Sequence, residues 1–338
     1  MNSVVAAPAP PGVAAIIVTY NRLDKLKVSL ELTLKLPFTD VVVVNNASTD
    51  GTKEWLNSLS DRRLRCIHSA ENLGGAGGFA RGFDEAARLT SAEWLACFDD
   101  DAYPAEDALD AFVQLSLPDV VAGVAAAVFL PSGSISTMNC PGVSPFHSWR
   151  LLMRALRRRE NRFGVPYSAY ESAALCNVSY SSFVGFFVRR HLVRGVLGLP
   201  RAELFIYGDD ALFTLNIVKH GYQLKFAPTV RFIHDCETLQ QQRRVYHPLW
   251  KVYYIFRNGV TFYRQLSGAY FYPVMLPILL LSWLGPVRHY TNRWLFMRLA
   301  LVAIWDGLRD DFTKSHREVV SLANGTLPCS SEIKKDKQ

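Results

Sequence analysis

Three adjacent carboxylates, Asp99-Asp100-Asp101, follow the apolar run WLACF at 94–98. Carboxylates this close repel one another, and a hard divalent cation relieves that repulsion while bridging to phosphate oxygens. In extended backbone Asp99 and Asp101 point to one side and Asp100 to the other, so the outer pair is placed to share one ion. His234 directly follows a second apolar run at 224–233; an imidazole added to two carboxylates makes a set suited to manganese. Asp209 and Asp210 follow the apolar run LFIY and open a helix. The helix dipole keeps a carboxylate there ionised and able to accept a proton, and an Asp there also caps the helix. The pair has one member for each task.

The stretch ENLGGAGGFARG at 71–82 places four glycines in five positions. Glycine permits close backbone approach to a ligand, and the N-terminus of the helix that follows suits an anion. Arg81, one helical turn beyond the glycines, is placed to reach a diphosphate. A dinucleotide fingerprint would follow the first strand directly, whereas this segment follows the third.

These residues need a frame. Residues 13–19 (VAAIIVT) and 40–45 (with VVVV) are short, continuous apolar runs, the pattern of strands buried on both faces. Further strands are expected at 64–68, 94–98, 120–129, 182–189 and 224–233, with helices at 23–36, 52–59, from the glycines to Arg88, and 211–220. The alternation predicts an α/β domain with a mainly parallel sheet, whose ligands lie beyond the carboxyl ends of the strands. The polar clusters fall at those ends.

Taken in order, TYNR, NNASTDGT, ENLGGAGGFARG, FDDDA, YGDD and a strand-terminal His resemble the family 2 nucleotide-sugar glycosyltransferases of the GT-A fold. The resemblance covers roughly residues 14–235, and GGAGGF with a triple Asp is most similar to the bacterial galactofuranosyltransferases, with rhamnosyltransferases as near neighbours. It implies a GT-A domain over 13–240; charge and hydropathy add a C-terminal helical, membrane-associating region over 241–330. It also implies donor contacts from Thr19, Tyr20, Asn21, Asn45, Asn46, Gly75, Arg81, Asp99 and Asp100. The implied metal, manganese or magnesium, is ligated by Asp99, Asp101 and His234. Asp210 is the implied general base, with Asp209 as its substitute. Asn45 and Asn46 stand where relatives carry at least one Asp against uracil; an Asn amide still offers a donor and an acceptor. The implied reaction is inverting transfer of galactofuranose from UDP-galactofuranose to a lipid-linked or polysaccharide acceptor. Transfer of rhamnose from dTDP-rhamnose is the alternative, and a non-catalytic nucleotide-binding membrane scaffold is the alternative of another class.

The chain has 338 residues, 49% hydrophobic and 20% charged, a globular composition that excludes collagen-like and disordered chains. From Gln240 onward there are 14 Lys and Arg against 6 Asp and Glu; before it there are 23 against 24. This basic C-terminal third suits an anionic surface or a diphosphate. A nucleic-acid partner is not expected, because the body is neutral and the aromatics lie among apolar runs. The segment YHPLWKVYYIFRNGVTFYR at 246–264 reads either as a helix packing face or as an acceptor groove. In the second reading Tyr207, Lys251, Tyr254, Arg257 and Asn258 meet a glycan or polyprenyl-diphosphate acceptor. The uncharged run 266–287 has the length of a membrane span, but prolines and glycines interrupt it. It reads as a buried helical hairpin, interfacial helices or a span. With the basic stretch at 148–162 it suits an enzyme peripheral on the inner face of the cell membrane. Six scattered cysteines without a CxxC pair fit a reduced cytoplasmic chain. Residues 1–12 read as a disordered leader without a signal peptide, and 331–338 as a frayed basic tail.

Overall fold

The computed structural model describes residues 11–146, 149–157, 163–236 and 245–326. Most of the expected leader, the tail at 331–338, Arg158, Arg159 and Arg162 of the basic stretch, and the boundary expected at 240 lie outside the described residues. The chain forms two compact units. The first comprises Met1–Val143, Ala155–Ala202 and Asp210–Cys236; the second comprises Ser144–Arg154, Glu203–Asp209 and Glu237–Gln338. Two short segments from the middle of the chain therefore pack with its C-terminal part, which a single cut at 240 does not capture.

The first unit begins with the expected alternation: β1 (Val13–Thr19), α1 (Leu23–Leu34), β2 (Asp40–Asn45), α2 (Thr52–Ser58), β3 (Leu64–His68), α3 (Gly74–Leu89) and β4 (Trp94–Asp99). It continues with β5 (Ala102–Pro104), α4 (Ala108–Val113) and β6 (Val121–Phe129). After α5 (Trp149–Arg157), which falls mostly in the second unit, come β7 (Cys176–Val178), β8 (Phe186–Arg189), α6 (Arg190–Val193), α7 (Asp209–Lys219) and β9 (Gln223–His234). The strands form one nine-stranded sheet in the order β3-β2-β1-β4-β8-β6-β9-β5, with β7 also on β9. It is mixed and mostly parallel: β1, β2, β3 and β4 run together, as do β6 and β9, while β8, β5 and β7 run against their neighbours.

The apolar runs are continuous because both faces of the sheet are covered. Ala14, Ile16 and Val18 pack on one side with Val42, Val44, Phe79 and Phe83. Val13, Ala15 and Ile17 pack on the other with Leu26, Leu30, Val41 and Val43. The strand expected over 182–189 pairs only from Phe186. Gly185 takes a φ of +69°, and a Cβ there would lie 2.9 Å from the Phe232 ring. The chain turns left-handed at this point because nothing larger than hydrogen fits against β9.

The second unit is helical: α8 (Trp250–Ser267), a run of irregular helical turns containing α9 (Leu276–Leu284), then α10 (Arg293–Leu308) and α11 (His316–Ala323). Helix α10 buries Phe296, Leu299, Ala300, Ala303 and Ile304, and packs closely on α8: a Cβ at Gly307 would lie 2.6 Å from the Arg257 carbonyl oxygen. Buried Asp306 accepts hydrogen bonds from Tyr253 Oη (2.7 Å) and Lys314 Nζ (2.8 Å), so its charge is paired inside this unit. Ser315 and Glu318 form a capping box that starts α11. Residues 266–287 are not a buried hairpin, since Tyr272 is 62% and Leu281 78% exposed. Among the described residues one helical stretch, Trp250–His289, is long and apolar enough to cross a membrane.

Candidate metal and nucleotide site

The chemistry of the first unit gathers at the carboxyl ends of β1, β2 and β4. Strand β4 ends at Asp99, and β5 turns back antiparallel to β9 with Ala102 opposite His234. That register lays His234 beside Asp101. One ligand atom each from Asp99, Asp101 and His234 lies within 4.8 Å of the others. His234 Nε2 lies 3.1 Å from Asp101 Oδ1, and its Nδ1 lies 2.8 Å from Asn139 Oδ1. Asn139 Oδ1 also accepts from Ser136 Oγ, while its Nδ2 donates to Ser182 Oγ. The oxygen of the amide therefore faces the ring, His234 Nδ1 donates, and Nε2 faces the carboxylates. A second group that fixes the imidazole tautomer in this way is the usual partner of a metal-ligating histidine.

The acids carry the electrostatic mark of crowding. Burial, with the charges of Asp101 and Asp100, pushes Asp99 up to about 7. Burial pushes Asp100 up to about 6. Burial also acts to raise Asp101, but the hydrogen bond and charge of His234 and the charge of Arg22 outweigh it and hold Asp101 below its ordinary value. The His234 ring is lowered by burial but raised further by Asp101 and Asp99, for a net increase. A bound divalent cation would favour the ionised form of all three carboxylates. Two hard oxygen donors and an oriented imidazole thus fit manganese or magnesium.

Arg22 completes this cluster. Its Nη1 lies 2.7 Å from Asp101 Oδ2 and 3.5 Å from Asp100 Oδ1. The TYNR turn contains this residue, yet spacing alone did not mark it, because its partners lie 78 and 79 positions away. The turn is held from the side. Asn21 takes a left-handed φ of 53°, its N–H donates to Ser48 Oγ, and its Oδ1 accepts from Thr49 N. Leu23 N donates to Asp50 Oδ2. The turn after β2 therefore holds the turn after β1. The Thr19 hydroxyl lies near enough to favour the Asp100 carboxylate but makes no hydrogen bond of normal geometry among the described residues. Tyr20 is 44% exposed at the rim.

Asn45 and Asn46, expected against the base, are each 2% exposed and engaged internally. Asn45 Oδ1 accepts from Ser48 N, and its Nδ2 lies 3.2 Å from His68 Nδ1. Asn46 Nδ2 donates to Asn72 Oδ1 and Gly74 O, and its Oδ1 accepts from Leu73 N. They bracket the loops; their side chains do not present a base-reading edge. The glycine-rich segment opens the expected helix. It lies inside α3, and Gly78 and Gly82 serve packing: a Cβ would come within 2.5 Å of Val18 Cγ1 and 2.6 Å of Ile16 Cγ2 respectively. Gly75, in the first turn, faces open space. Arg81 is partly buried and donates to Ser69 Oγ at 3.1 Å.

Asp210, in the first turn of α7, is half-buried, and its Oδ1 accepts from Ala211 N at 2.7 Å. Burial pushes its carboxyl up to about 6, against the opposing pull of backbone N–H groups. An acid in that range is ionised at neutral pH yet basic enough to take a proton. Asp209 is buried, at 7% exposure.

In the second unit, three of the five expected acceptor residues prove internal. Tyr254, Arg257 and Asn258 are 1%, 0% and 2% exposed. Arg257 lies 5.2, 5.1 and 4.9 Å from the ring centres of Tyr253, Tyr254 and Phe312. Its Nη1 makes no hydrogen bond among the described residues, a cost that cation–π contact offsets. Tyr207 is 37% exposed and Lys251 half-buried. Phe205 (φ 65°) and Tyr207 (φ 67°) both adopt left-handed backbone, at a cost of about 1–3 kcal/mol each.

Comparison with known proteins agrees with this geometry. Residues 14–180 match the family model described as glycosyl transferase family 2. The chain is 28% identical over 230 residues to galactofuranosyltransferase GlfT1 of Mycolicibacterium smegmatis, covering 67% of this chain and 72% of that one. It is 28% identical over 229 residues to GlfT1 of Mycobacterium tuberculosis, covering 66% and 70%. Among solved structures it resembles the mannosyltransferase PcManGT from Pyrobaculum calidifontis in complex with GDP-Man and Mn2+ (TM-score 0.50, 21% identity, 94% of this chain and 81% of that chain). It also resembles GalNAc-T7 with UDP, GalNAc and Mn2+ (TM-score 0.53, 13% identity, 91% and 59%). Residues 14–180 thus carry a glycosyl transferase family 2 domain on an α/β GT-A fold, and the chain is similar to the galactofuranosyltransferases.

Proposed function

We propose that this chain transfers galactofuranose from UDP-galactofuranose, with inversion, to a lipid-linked or polysaccharide acceptor in bacterial surface-glycan synthesis. The observation that carries this reading is the cluster of Asp99, Asp101 and His234 beside Arg22 in a domain whose curated relatives are galactofuranosyltransferases. The nucleotide and Mn2+ in the two structural neighbours support a nucleotide donor and a divalent metal.

Asp99, Asp101 and His234 would hold manganese or magnesium, with Asn139 orienting the His234 ring. When bound, the metal neutralises charge growing on the departing diphosphate. Arg22 and Arg81 supply fixed positive charge for the same diphosphate, and the open first turn of α3 at Gly75 offers backbone N–H groups. Tyr20 and the Thr19 hydroxyl stand at the base and ribose side. Asp210 removes the proton from the acceptor hydroxyl as it attacks the anomeric carbon, and one displacement inverts that centre. Asp209 holds the start of α7.

The second unit supports a membrane-bound acceptor. Along α10 the exposed residues Trp294, Arg298, Leu301 and Trp305 recur at i, i+4, i+7 and i+11, one stripe opposite the buried one. A helix apolar on both faces with only one face packed suits an interfacial position, where Trp and Arg sit at headgroup level. The enzyme would then act as a peripheral protein on the cytoplasmic face of the inner membrane.

The test is calorimetric titration with UDP-galactofuranose, other UDP-sugars, GDP-mannose and dTDP-rhamnose, each with manganese and again with EDTA. Metal-dependent binding of UDP-galactofuranose alone is the expected result. Preference for dTDP-rhamnose keeps the chemistry and replaces the sugar. Donor binding without turnover on any acceptor favours a non-catalytic scaffold, and no metal-dependent binding overturns the roles of Asp101 and His234.

A further inference from the structure

The segment Glu203–Asp209 belongs to the second unit and is built in an unusual way. Phe205, Tyr207 and Gly208 have φ of 65°, 67° and 83°, so three of four consecutive residues are left-handed and only one is glycine. Backbone of this kind persists only where its surroundings over-determine it, and it concentrates at functional sites. Here the surroundings are two side chains of α8. Asn258 Nδ2 lies 3.1, 2.9 and 2.8 Å from the carbonyl oxygens of Leu204, Ile206 and Tyr207. Arg257 Nη2 lies 3.0 and 3.3 Å from those of Leu204 and Glu203. Arg257 Nε donates to Asn258 Oδ1 at 2.9 Å, which turns the amide so that its NH2 faces the turn. The Phe205 ring stacks on His316 and Tyr254, with centroids 4.3 and 5.1 Å apart. The carbonyls of Glu203, Leu204, Ile206 and Tyr207 and the Phe205 ring are thus fixed from α8 and α11, while Tyr207 is 37% exposed.

We propose that Arg257 and Asn258 are positioning residues: they hold the strained 205–208 turn so that Tyr207 offers its aromatic face to the acceptor sugar and Asp209-Asp210 enter α7 in one fixed conformation. This rests on the transferase reading above. It replaces direct acceptor contact by these two residues, which their burial forbids, with action through the carbonyls they bind. Arg at 257 is then specific, because its fork reaches a carbonyl and the Asn258 amide at once, and a lysine has no such geometry.

The experiment compares Asn258→Ala, Arg257→Lys and Tyr207→Gly in the full chain. It measures donor affinity by calorimetry, kcat and acceptor KM, amide hydrogen exchange and Tm. For Asn258→Ala the donor Kd should stay within about twofold while kcat falls about a hundredfold, the scale of a 1 Å misplacement of a reacting group; exchange should quicken over 203–209. Arg257→Lys should show the same split more weakly. Tyr207→Gly keeps every backbone carbonyl that the clamp binds and removes the ring, so acceptor KM should increase about tenfold while donor Kd stays within about twofold. Folded Asn258→Ala with unchanged exchange at 203–209 or unchanged kcat overturns the proposal. So does an unchanged acceptor KM for Tyr207→Gly, which decides the matter if Asn258→Ala does not fold. If the unaltered chain transfers no sugar, the transferase reading fails, whereas the exchange and Tm results still report on the clamp.

Discussion

Asn139 holds His234 through Nδ1 at 2.8 Å, which leaves Nε2 facing Asp101 at 3.1 Å. The bond joins the short helical turn Thr137–Asn139 after β6 to the end of β9, two places 95 residues apart. Replacing Asn139 by Ala removes the group that sets the ring's tautomer and orientation while leaving all three candidate ligands in place. Manganese affinity, read by calorimetry or by the spin resonance of free Mn2+, should fall about 10- to 100-fold. An unchanged affinity would mean that the ring is oriented by other contacts.

Asp210 gives a pH prediction of definite sign. With its carboxyl pushed up to about 6, kcat should fall with acid along a limb centred near pH 6, because a protonated base cannot accept a proton. The native state binds more protons here than the unfolded chain between pH 4 and 6, so this group lowers stability as pH rises through that window. Asp210→Asn should accordingly reduce kcat by about 10²–10⁴, keep donor affinity, and raise or preserve Tm at pH 7 with no gain at pH 4. A fall in Tm at pH 7 would assign the carboxylate a structural role instead.

The glycines of α3 separate into two kinds. Gly78→Ala drives a methyl against Val18 Cγ1 and should cost about 1–3 kcal/mol by overpacking, measured by urea unfolding, with donor affinity unchanged in the folded fraction. Gly75→Ala meets no atom. It should leave stability within about 0.5 kcal/mol and weaken donor binding, because the methyl enters the space proposed for the diphosphate.

The exposed stripe of α10 predicts binding to anionic vesicles. Burying one large apolar side chain is worth about 1.5–3 kcal/mol, so Trp294→Ser and Trp305→Ser should each weaken partition onto phosphatidylglycerol vesicles about tenfold or more. Arg298→Gln should lower binding mainly at low salt, since an arginine near an anionic surface contributes about 1 kcal/mol that ions screen. Equal flotation of wild-type and variant proteins would remove the interfacial role of this face.

Much of this was readable in the residues. The VVVV run and VAAIIVT fall in strands buried on both faces, and Asp99 and His234 each end an apolar strand of the same sheet, with Asp101 brought beside His234 by the pairing of β5 with β9. What could not be read depended on partners distant in sequence. Arg22 finds Asp100 and Asp101 only once β1 and β4 lie side by side. Arg257 and Asn258 look like exposed polar residues on a helix face; their burial follows from the 203–209 turn, some 50 positions earlier, bringing carbonyls to them. Asn45 and Asn46 look poised for a ligand because they are a polar pair at a strand end, yet the turn after β2 and the segment after β3 use their amides. Gly185 ends the ladder early because the Phe232 ring occupies the space its side chain would need, and Phe232 comes 47 residues later.

The recruitment of residues 203–209 into the second unit bears on how such enzymes diversify. A chimera that exchanges only the chain after Cys236 for that of a relative would bring in a foreign α8 to meet carbonyls it did not evolve with. A cut that carries 144–154 and 203–209 along with the C-terminal part keeps each donor with its acceptor. The two units therefore cannot be exchanged as independent cassettes by one crossover. A change at Arg257 or Asn258 has to be matched by one in 203–209, so these two segments vary as one piece although some 50 positions of chain separate them.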